Sequence, residues 1–337
     1  MSKKILLSGV KPTGRPHVGN YFGAMKQYVD LQEDHDSFIF IADFHALTGI
    51  QNSQELAQNT LDVAIDYLAI GLDPQKTIIY KQSDVPQVTE LTWILNCLTT
   101  MPYLKRAHAY KDAVVKNSIE MSKPLLEAKE ITEDDRGEDK GINIGTFDYP
   151  ILMAADILLP SADVVPVGED QRQHIEIARD IAEKFNRIFG ETFKLPKELI
   201  LKDVQTVPGT DGRKMSKSYG NTIPLFATRE EITKAVMSIV TDSGEGIPEH
   251  VYAIHKLFKT EAELKPLYEE HKGKYKALKD ALIEDIDAFI APLRTKREEI
   301  AKDKDAVIQI LKNGGQIAYN RVEEKMQEVR GKVGLIL

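Results

Sequence analysis

Two lysines and two serines lie within five residues at Lys214-Met215-Ser216-Lys217-Ser218. Gly212 and Gly220 flank this segment, and because glycine favours turns over helix or strand interiors, we expect a mobile loop. Ammonium groups and hydroxyl donors suit the binding of a polyphosphate, since charge-assisted hydrogen bonds to phosphate oxygens are strong and can strengthen as charge develops. On its own such a segment is more often a solvated basic loop, and a phosphate site requires a second element elsewhere in the chain.

A second candidate for phosphate binding spans residues 9–20, Gly-Val-Lys-Pro-Thr-Gly-Arg-Pro-His-Val-Gly-Asn. It lies between a predicted strand at 5–7 and a predicted helix at 19–31, and the start of a helix after a glycine-bearing turn favours anions. The segment has neither the Gly-Lys-Ser/Thr ending of a Walker loop nor the Gly-x-Gly-x-x-Gly fingerprint of dinucleotide-binding proteins. His17 and Asn20 could both face a phosphate, or could instead be a surface histidine and a helix cap.

Composition restricts the classes of function that the chain can have. It has 337 residues, with 44 Lys plus Arg against 52 Asp plus Glu, so the net charge of −8 argues against general affinity for nucleic acid and requires any RNA contact to be local. The only cysteine, Cys97, excludes an intramolecular disulfide, a Cys-rich zinc site and an iron–sulfur cluster, and fits a reducing cytoplasm. No stretch approaches the ~20 apolar residues of a membrane span, so we expect no membrane segment.

Strands and helices alternate in the first two thirds of the chain. Continuous apolar strands are predicted at 5–7, 37–42, 77–80 and 164–167, and helices at 19–31, 53–70, 89–98, 151–159 and 171–189, with Ser53 as a cap and Gly71 as a stop. Because buried strands separated by helices are typical of doubly wound parallel sheets, the fold class is α/β with a Rossmann-type sheet. Residues 130–140 are expected to form an exposed loop.

No strand pattern follows the lysine-rich loop. Helices are predicted at 229–239, 250–258, 261–271, 274–289, 293–302 and 315–329. We therefore expect a catalytic domain at 1–212 and an all-helical domain at 213–337, with a last helix at about 315–337 that could pack back on the first domain.

The two lysine-bearing elements together resemble the two signatures of class I aminoacyl-tRNA synthetases. The first departs from the usual His-Ile-Gly-His because Asn20 replaces the second histidine, which is typical of the tryptophanyl branch. Three further segments resemble that branch: its strand exit at Ile41–Thr48, its amino-acid specificity helix at Tyr149–Leu159 and its ribose-binding turn at Val165–His174.

The resemblance implies a reaction in two steps. The carboxylate of tryptophan attacks the α-phosphate of ATP, which gives tryptophanyl-adenylate and pyrophosphate, and the tryptophanyl group then passes to the terminal ribose of tRNA(Trp), first to its 2′-hydroxyl. Catalysis would rest on positioning and electrostatic stabilisation. Mg²⁺ would bridge the ATP phosphates rather than occupy a protein metal site. The family is homodimeric, and the tRNA should lie across the helical domain.

The resemblance also assigns residues to ATP. Phosphate contacts and catalysis would come from Lys11, His17, Asn20, Lys214 and Lys217, and the ribose would be held by Gly168, Glu169 and Asp170. The full ATP-binding set implied is Lys11, Pro12, Thr13, Gly19, Asn20, Gly168, Glu169, Asp170, Val207, Lys214, Met215, Ser216, Lys217 and Ser218.

Lys11 departs from the commoner family pattern, which has glutamine there. A second lysine that often follows Lys111 by two places is replaced by Ala113, and a helper glutamine is replaced by Ala109. We hypothesise that the positive charge has moved from the Lys111 side of the site to Lys11.

Asp156 is the candidate reader of the amino acid. The indole N–H can only donate, so its partner must accept, and an ionised carboxylate accepts well. A buried carboxylate left without a donor would also reject phenylalanine. Chemistry alone does not exclude tyrosine, whose hydroxyl also donates, and the motif around Asp156 favours tryptophan. The resemblance adds Met153, one turn earlier on the same helix face, with His45 and Gln171.

Three alternatives remain open from the sequence. A tyrosyl-tRNA synthetase would share the fold and the ATP chemistry. A non-charging paralogue that binds tRNA or senses tryptophan would have no need of Lys214 and Lys217. A small-metabolite adenylyltransferase would have no need of the helical C-terminal half.

Overall fold

Five parallel strands form the centre of the molecule. The computed structural model describes residues 3–121, 141–166, 168, 172–199, 207–241 and 246–336. The strands are β1 Lys4–Val10, β2 His35–Ile41, β3 Thr77–Lys81, β4 Val164–Pro166 and β5 Lys197–Leu199, in the sheet order β3-β2-β1-β4-β5. Because the order reverses at β1, a crevice opens beside the carboxyl ends of β1 and β4. This topology confirms the predicted Rossmann-type α/β class.

Helices cover the sheet and form the C-terminal region. In chain order they are α1 Val18–Asn20, α2 Lys26–Leu31, α3 Asp43–Ala46, α4 Ser53–Ile70, α5 Gln87–Asn96, α6 Met101–Leu104, α7 His108–Met121, α8 Ile144–Leu158, α9 Arg172–Phe189, α10 Arg229–Met237, α11 Glu249–His255, α12 Glu261–Glu270, α13 Tyr275–Ile300 and α14 Lys304–Lys332. None of the helices in the described part of the chain is long and apolar enough to cross a membrane.

The central strands are apolar on both faces because helices pack on both sides of the sheet. Leu6 and Leu7 on β1 point to opposite faces, and both are fully buried. β1 pairs with β2 along its whole length, from Lys4 opposite His35 to Val10 opposite Ile41. The two strands therefore end together, and the loops that follow them start at the same edge of the sheet.

The helix that follows the first strand is irregular where it meets the crevice. The predicted continuous helix at 19–31 is divided into α1, a π-helical turn at Tyr21–Met25 and α2. Such π-helical turns occur frequently at functional sites. Helical periodicity predicts the direction of this segment but does not distinguish α from π hydrogen bonding.

The cap predicted for α4 was wrong by one residue. Asn52 is the N-cap, and its side chain accepts a hydrogen bond from the backbone N–H of Glu55 at 3.0 Å. Ser53 is already helical. Gly71 ends the helix as predicted, with a φ of 110° that favours glycine.

Two boundaries in the C-terminal region differ from the predicted ones. The helices expected at 274–289 and 293–302 are one helix, α13, which continues through Pro292. The last helix begins at Lys304, capped by Asp303, rather than near residue 315. Gly314 and Gly315 lie inside it, where the helix closely approaches the central sheet: a Cβ on Gly314 would lie 2.0 Å from the carbonyl oxygen of Ile79 on β3.

Several elements were not predicted from the sequence. β5 is a three-residue polar strand, and α3, α6 and α7 were not predicted. The helix expected at 151–159 begins seven residues earlier, at Ile144, and contains Pro150. The loop expected at 130–140 and the strand end at Val167 lie outside the described residues.

Candidate active site

The two lysine-bearing elements contact each other directly. The Lys217 ammonium donates to the backbone carbonyls of Thr13 at 3.0 Å and Gly14 at 2.9 Å. The sulfur of Met215 accepts from the backbone N–H of Gly19 at 3.4 Å. Segments about 200 residues apart in the sequence thus form one surface at the carboxyl end of β1.

The chain that follows the lysine loop fixes the N-terminal turn in place. The backbone N–H of Val18 donates to the carbonyl of Ile223 at 2.9 Å, and the N–H of Leu225 donates to the carbonyl of Pro16 at 3.0 Å. Both segments are held by main-chain contacts, so their relative position does not depend on one side chain.

His17 and Asn20 form a reciprocal cap at the start of α1. The His17 Nδ1 accepts from the backbone N–H of Asn20 at 3.2 Å, and the Asn20 Oδ1 accepts from the N–H of His17 at 3.0 Å. Burial, followed by the nearby Lys217 ammonium, lowers the pKa of His17 to about 4. The imidazole is therefore neutral near pH 7, and because Nδ1 accepts, the proton is on Nε2. His17 thus offers an uncharged N–H donor besides its structural role.

A cavity of about 230 Å³ lies beneath this contact. Its polar lining includes six residues predicted to bind ATP or to act in catalysis: Lys11, Thr13, His17, Asn20, Ser216 and Lys217. It also includes Asp66 on α4, which sequence reasoning missed. The predicted phosphate site thus contains one carboxylate among its cations and donors.

Four further residues predicted for ATP, namely Pro12, Val207, Lys214 and Ser218, are not part of this lining. Pro12 and Val207 are buried, and the Val207 carbonyl accepts from the N–H of Met215 at 2.9 Å. Lys214 is exposed and forms a β-bridge with Pro208, outside the lining. Ser218 is exposed, with its N–H donating to the Ser216 hydroxyl at 3.3 Å.

A second cavity, of about 280 Å³, adjoins the first. It is lined by the candidate tryptophan residues His45, Met153 and Asp156, together with Gly168. Val10 and Lys11 line both cavities. The two spaces therefore meet at Lys11, directly after the end of β1.

The Lys11 side chain is half-buried at this junction. Its ammonium lies 5.2 Å from the centroid of the Tyr149 ring and 3.4 Å from the Thr48 hydroxyl. Burial lowers the pKa of Lys11. A partly desolvated cation at the junction would strongly stabilise negative charge that develops there.

Asp156 is held by three hydrogen bonds at the base of the second cavity. The Gln82 amide donates to both carboxylate oxygens at 2.9 Å, and His45 Nε2 lies 2.9 Å from Oδ2. Burial raises the pKa of Asp156, and the hydrogen bonds from His45 and Gln82 oppose that rise. Among these contacts Oδ1 accepts one bond and Oδ2 accepts two, so Oδ1 keeps more capacity for a further donor.

Gln82 is the main residue of this site that sequence reasoning missed. It is buried in a 3₁₀ turn directly after β3, and its Oε1 accepts from the backbone N–H of His45 at 3.3 Å. It thereby fixes both Asp156 and the turn that carries His45. A polar residue at the carboxyl end of a parallel strand was the available signal, because ligands bind at that edge.

Aromatic rings form one side of the second cavity. The Tyr149 ring centroid lies 4.3 Å from that of His45, and the two rings are tilted by 49°. Burial, and then the charge of Asp156, raise the pKa of Tyr149 to about 12. The tyrosine is therefore neutral at all physiological pH values.

Some predicted residues cannot be placed. Glu169, Asp170 and Gln171 lie outside the described residues, as do residues 122–140, which follow α7. Lys111 itself is exposed on α7. Within the part of the chain that is described, no group of three or more His, Cys, Asp or Glu side chains could hold a metal ion.

Comparisons with known proteins agree with this geometry. A family model described as "tRNA synthetases class I (W and Y)" matches residues 2–311. The tryptophan–tRNA ligase of Fusobacterium nucleatum is 44% identical over 341 residues, which cover 98% of this chain and 98% of the relative.

Solved structures give the same result. The crystal structure of tryptophanyl-tRNA synthetase from Campylobacter jejuni, complexed with ADP and tryptophan, has a TM-score of 0.84 and 42% identity and covers 98% of this chain and 99% of its own. The crystal structure of tryptophanyl-tRNA synthetase from Mycoplasma pneumoniae has a TM-score of 0.80 and 29% identity. It covers 99% of this chain and 98% of its own. The family model spans both tryptophan and tyrosine enzymes, and the relatives of high identity favour tryptophan. The chain therefore belongs to the class I aminoacyl-tRNA synthetases, in the tryptophanyl-tRNA synthetase branch.

Proposed function

We propose that the two adjoining cavities form tryptophanyl-adenylate from L-tryptophan and ATP, and that the tryptophanyl group then passes to the 3′-terminal ribose of tRNA(Trp). The observation that carries this proposal is the contact of the lysine loop with the N-terminal turn, above a cavity that joins a carboxylate-bearing pocket. Positioning of two substrates in adjoining spaces converts their encounter into an effectively intramolecular reaction.

In the first cavity the triphosphate of ATP lies against the N-terminal turn. Lys217 exchanges its carbonyl partners for phosphate oxygens, because ionised acceptors bind an ammonium more strongly than neutral carbonyls do. His17 Nε2–H and the Asn20 amide supply uncharged donors, and Lys214 approaches the leaving pyrophosphate from the mobile loop.

In the second cavity the indole N–H donates to Oδ1 of Asp156, and Met153 packs on the ring. The tryptophan carboxylate then points to Lys11, at the junction of the two cavities. As this carboxylate attacks the α-phosphate, negative charge increases on the phosphate oxygens, and Lys11 stabilises it. The P–O bond to pyrophosphate breaks as the new P–O bond forms, and no covalent enzyme intermediate is required.

The ATP ribose and its metal complete the arrangement. The ribose hydroxyls donate hydrogen bonds to the segment formed by Gly168, Glu169 and Asp170. Mg²⁺ would enter with ATP and would offset the negative charge of the phosphates, since the described residues offer it no cluster of three or more His, Cys, Asp or Glu ligands.

The helical region is the proposed tRNA surface, in a domain that we place at 213–337. Several of its basic side chains are already paired within the protein: Arg294 with Asp287, Arg297 with Asp66 and Arg330 with Glu90. The phosphate contacts are therefore assigned to six other basic residues of α13, α14 and the turn between them, Lys296, Lys302, Lys304, Lys312, Arg321 and Lys332.

A homodimer in the cytoplasm is the proposed working form. Large apolar side chains are exposed on helices that pack together: Trp93 on α5 is 71% exposed, Met101 on α6 is 63% exposed and Ile144 at the start of α8 is 77% exposed. Burial of such a surface in a second copy would stabilise a dimer. Light scattering tests this, and Trp93→Asp should increase the fraction of monomer.

Amino-acid-dependent exchange of pyrophosphate into ATP tests the reaction. We expect exchange with tryptophan, weak or no exchange with tyrosine, and a mass that corresponds to tryptophanyl-adenylate. Exchange with tyrosine alone would establish the tyrosyl alternative. Binding of tryptophan without adenylate would establish the tryptophan sensor.

A further inference from the structure

An arginine of the helical region contacts a carboxylate of the phosphate cavity. Asp66, on α4 of the sheet region, is buried and lines the cavity that also contains Lys217. The Arg297 Nε, on α13, lies 2.5 Å from its Oδ1. The same guanidinium reaches Asp62, one turn earlier on α4, through Nη2 at 2.9 Å. One arginine therefore joins α13 to two carboxylates, of which one lines the cavity.

A carboxylate in this place opposes the binding of ATP. The charged groups that face Asp66 are Arg297, Asp62, Arg15 and, across the cavity, Lys217. Burial raises the pKa of Asp66 to about 6, and Arg297 opposes that rise. At pH 7 the cavity therefore holds a negative charge near the position of the phosphates, and Arg297 provides its closest compensation.

We propose that Asp66 and Arg297 are a positioning pair through which the helical region sets the affinity of the phosphate cavity for ATP. The proposal rests on the proposed function, since it assigns a role in ATP binding. When Arg297 is in contact, it neutralises Asp66 and holds the carboxylate on the α13 side. When α13 shifts, the charge of Asp66 is uncovered and repels the triphosphate.

A second contact links Arg297 to the N-terminal turn. Its guanidinium lies 5.4 Å from the centroid of the Phe226 ring, and the Phe226 carbonyl accepts from Arg15 at 3.3 Å. The neighbouring Leu225 N–H donates to the carbonyl of Pro16. A displacement of α13 would thus reach both Asp66 and the turn that carries His17. The geometry makes ATP affinity depend on the position of the helical region.

Kinetics of four variants test the pair. In Arg297→Met the pKa of Asp66 should rise further because its opposing charge is lost, and at pH values above that raised pKa the uncompensated carboxylate should raise the KM for ATP by about 10-fold or more. The kcat of adenylate formation and the KM for tryptophan should change by less than about 2-fold, because the junction at Lys11 and the second cavity are untouched. Asp66→Asn should lower the KM for ATP, since it removes the repulsive charge. The double variant should match Asp66→Asn, because without this carboxylate the arginine has no charge in the cavity lining to compensate.

Asp62→Asn is the matched control. Asp62 binds the same guanidinium but is not part of the cavity lining, so its loss should leave the KM for ATP unchanged. A purely structural bridge would predict a different pattern: both single variants of the Asp66–Arg297 pair would be impaired alike, and Asp66→Asn would not restore Arg297→Met.

The pH dependence provides a test that does not require Arg297→Met to fold. Below pH 6 Asp66 is increasingly protonated and does not repel phosphate, whereas above it the carboxylate is ionised. Bound ATP raises this pKa further, so the KM for ATP should increase with pH between 5.5 and 7.5 more steeply in the unaltered protein than in Asp66→Asn. The titration of ATP itself is common to both proteins.

Identical pH profiles, or a KM for ATP in a folded Arg297→Met that matches the unaltered protein at every pH, would overturn the inference while leaving adenylate formation intact. Failure of the unaltered protein to form tryptophanyl-adenylate would instead overturn the proposed function.

Discussion

The two cavities that meet at Lys11 are built in different ways. The phosphate cavity is closed by the lysine loop, whose contacts with the N-terminal turn are made by one exposed ammonium, one sulfur and the main chain. The amino-acid cavity is closed by buried side chains, with Asp156, His45 and Gln82 each less than 6% exposed. The first can open by breaking a few hydrogen bonds at the surface, whereas the second cannot change without exposing a buried charge.

The difference suits the two substrates. A triphosphate must enter, react and leave as pyrophosphate, and a loop that exchanges carbonyl partners for phosphate oxygens allows this movement. Tryptophan must be distinguished from similar amino acids, and a preorganised acceptor discriminates best when its position is fixed. Loop opening is thus assigned to the phosphate cavity and discrimination among amino acids to the other cavity. Variants of one cavity should therefore leave the function of the other unchanged.

The largest expected effect is the loss of the acceptor in the rigid cavity. Asp156→Ala should lower kcat/KM for tryptophan by about 10³-fold or more, because the indole N–H loses its partner and the donors of Gln82 and His45 are left unpaired. The KM for ATP should stay within about 2-fold. Exchange assays at varied tryptophan and varied ATP measure both. A parallel rise in the KM for ATP would mean that the two cavities are not independent.

Loss of the Lys217 ammonium in the lysine loop should act in the opposite way. Lys217→Met should lower kcat for adenylate formation by about 10²- to 10³-fold with little change in the KM for tryptophan, because the charge on the leaving pyrophosphate is no longer stabilised. Lys194→Met, which removes a surface lysine paired with Asp163, is the control. A defect confined to tryptophan binding would contradict the assignment.

Lys11 lies at the junction, so its loss should affect the bond-forming step itself. Lys11→Gln should reduce adenylate formation by about 10²-fold, which is the effect of removing one preorganised donor. A near-normal exchange rate would refute the hypothesis that the positive charge of the site has moved to Lys11.

The smallest effect is expected for the residue behind Asp156. Gln82→Met should lower kcat/KM for tryptophan by about 10-fold and weaken discrimination against a tryptophan analogue whose indole nitrogen is replaced by sulfur. Gln87→Met is the matched control, since Gln87 is also buried and donates to a carboxylate, that of Glu323 at 2.6 Å, outside both cavities. Equal effects of the two variants would assign Gln82 a role in stability only.

Local patterns were enough to predict the parts of the site that lie near the ends of strands. Four of the five strands have continuous apolar runs, and the glycines around His17 and Lys217 indicate loops, so most of the sheet and both lysine-bearing elements were predictable. The capping of α1 by His17 could not be predicted from the apolar runs or from the glycines, because a histidine is an uncommon N-cap.

Pairings between distant segments were not predictable. Asp66 lies in an apolar helix pattern and Arg297 among charged residues, and only folding brings their side chains together. Gln82 likewise gains its role from Asp156, which is 74 residues away. β5 escaped detection because a three-residue strand with the sequence Lys-Glu-Leu has no apolar run.

The close approach of Gly314 to Ile79 has a consequence for solubility. β3 is at the margin of the sheet, and an uncovered marginal strand offers its peptide groups to strands of other molecules. The last helix lies against the Ile79 backbone and blocks such strand addition. A bulky residue at position 314 would lift the helix away and leave the β3 edge open to pairing with strands of other molecules, even though both substrate cavities remained in place.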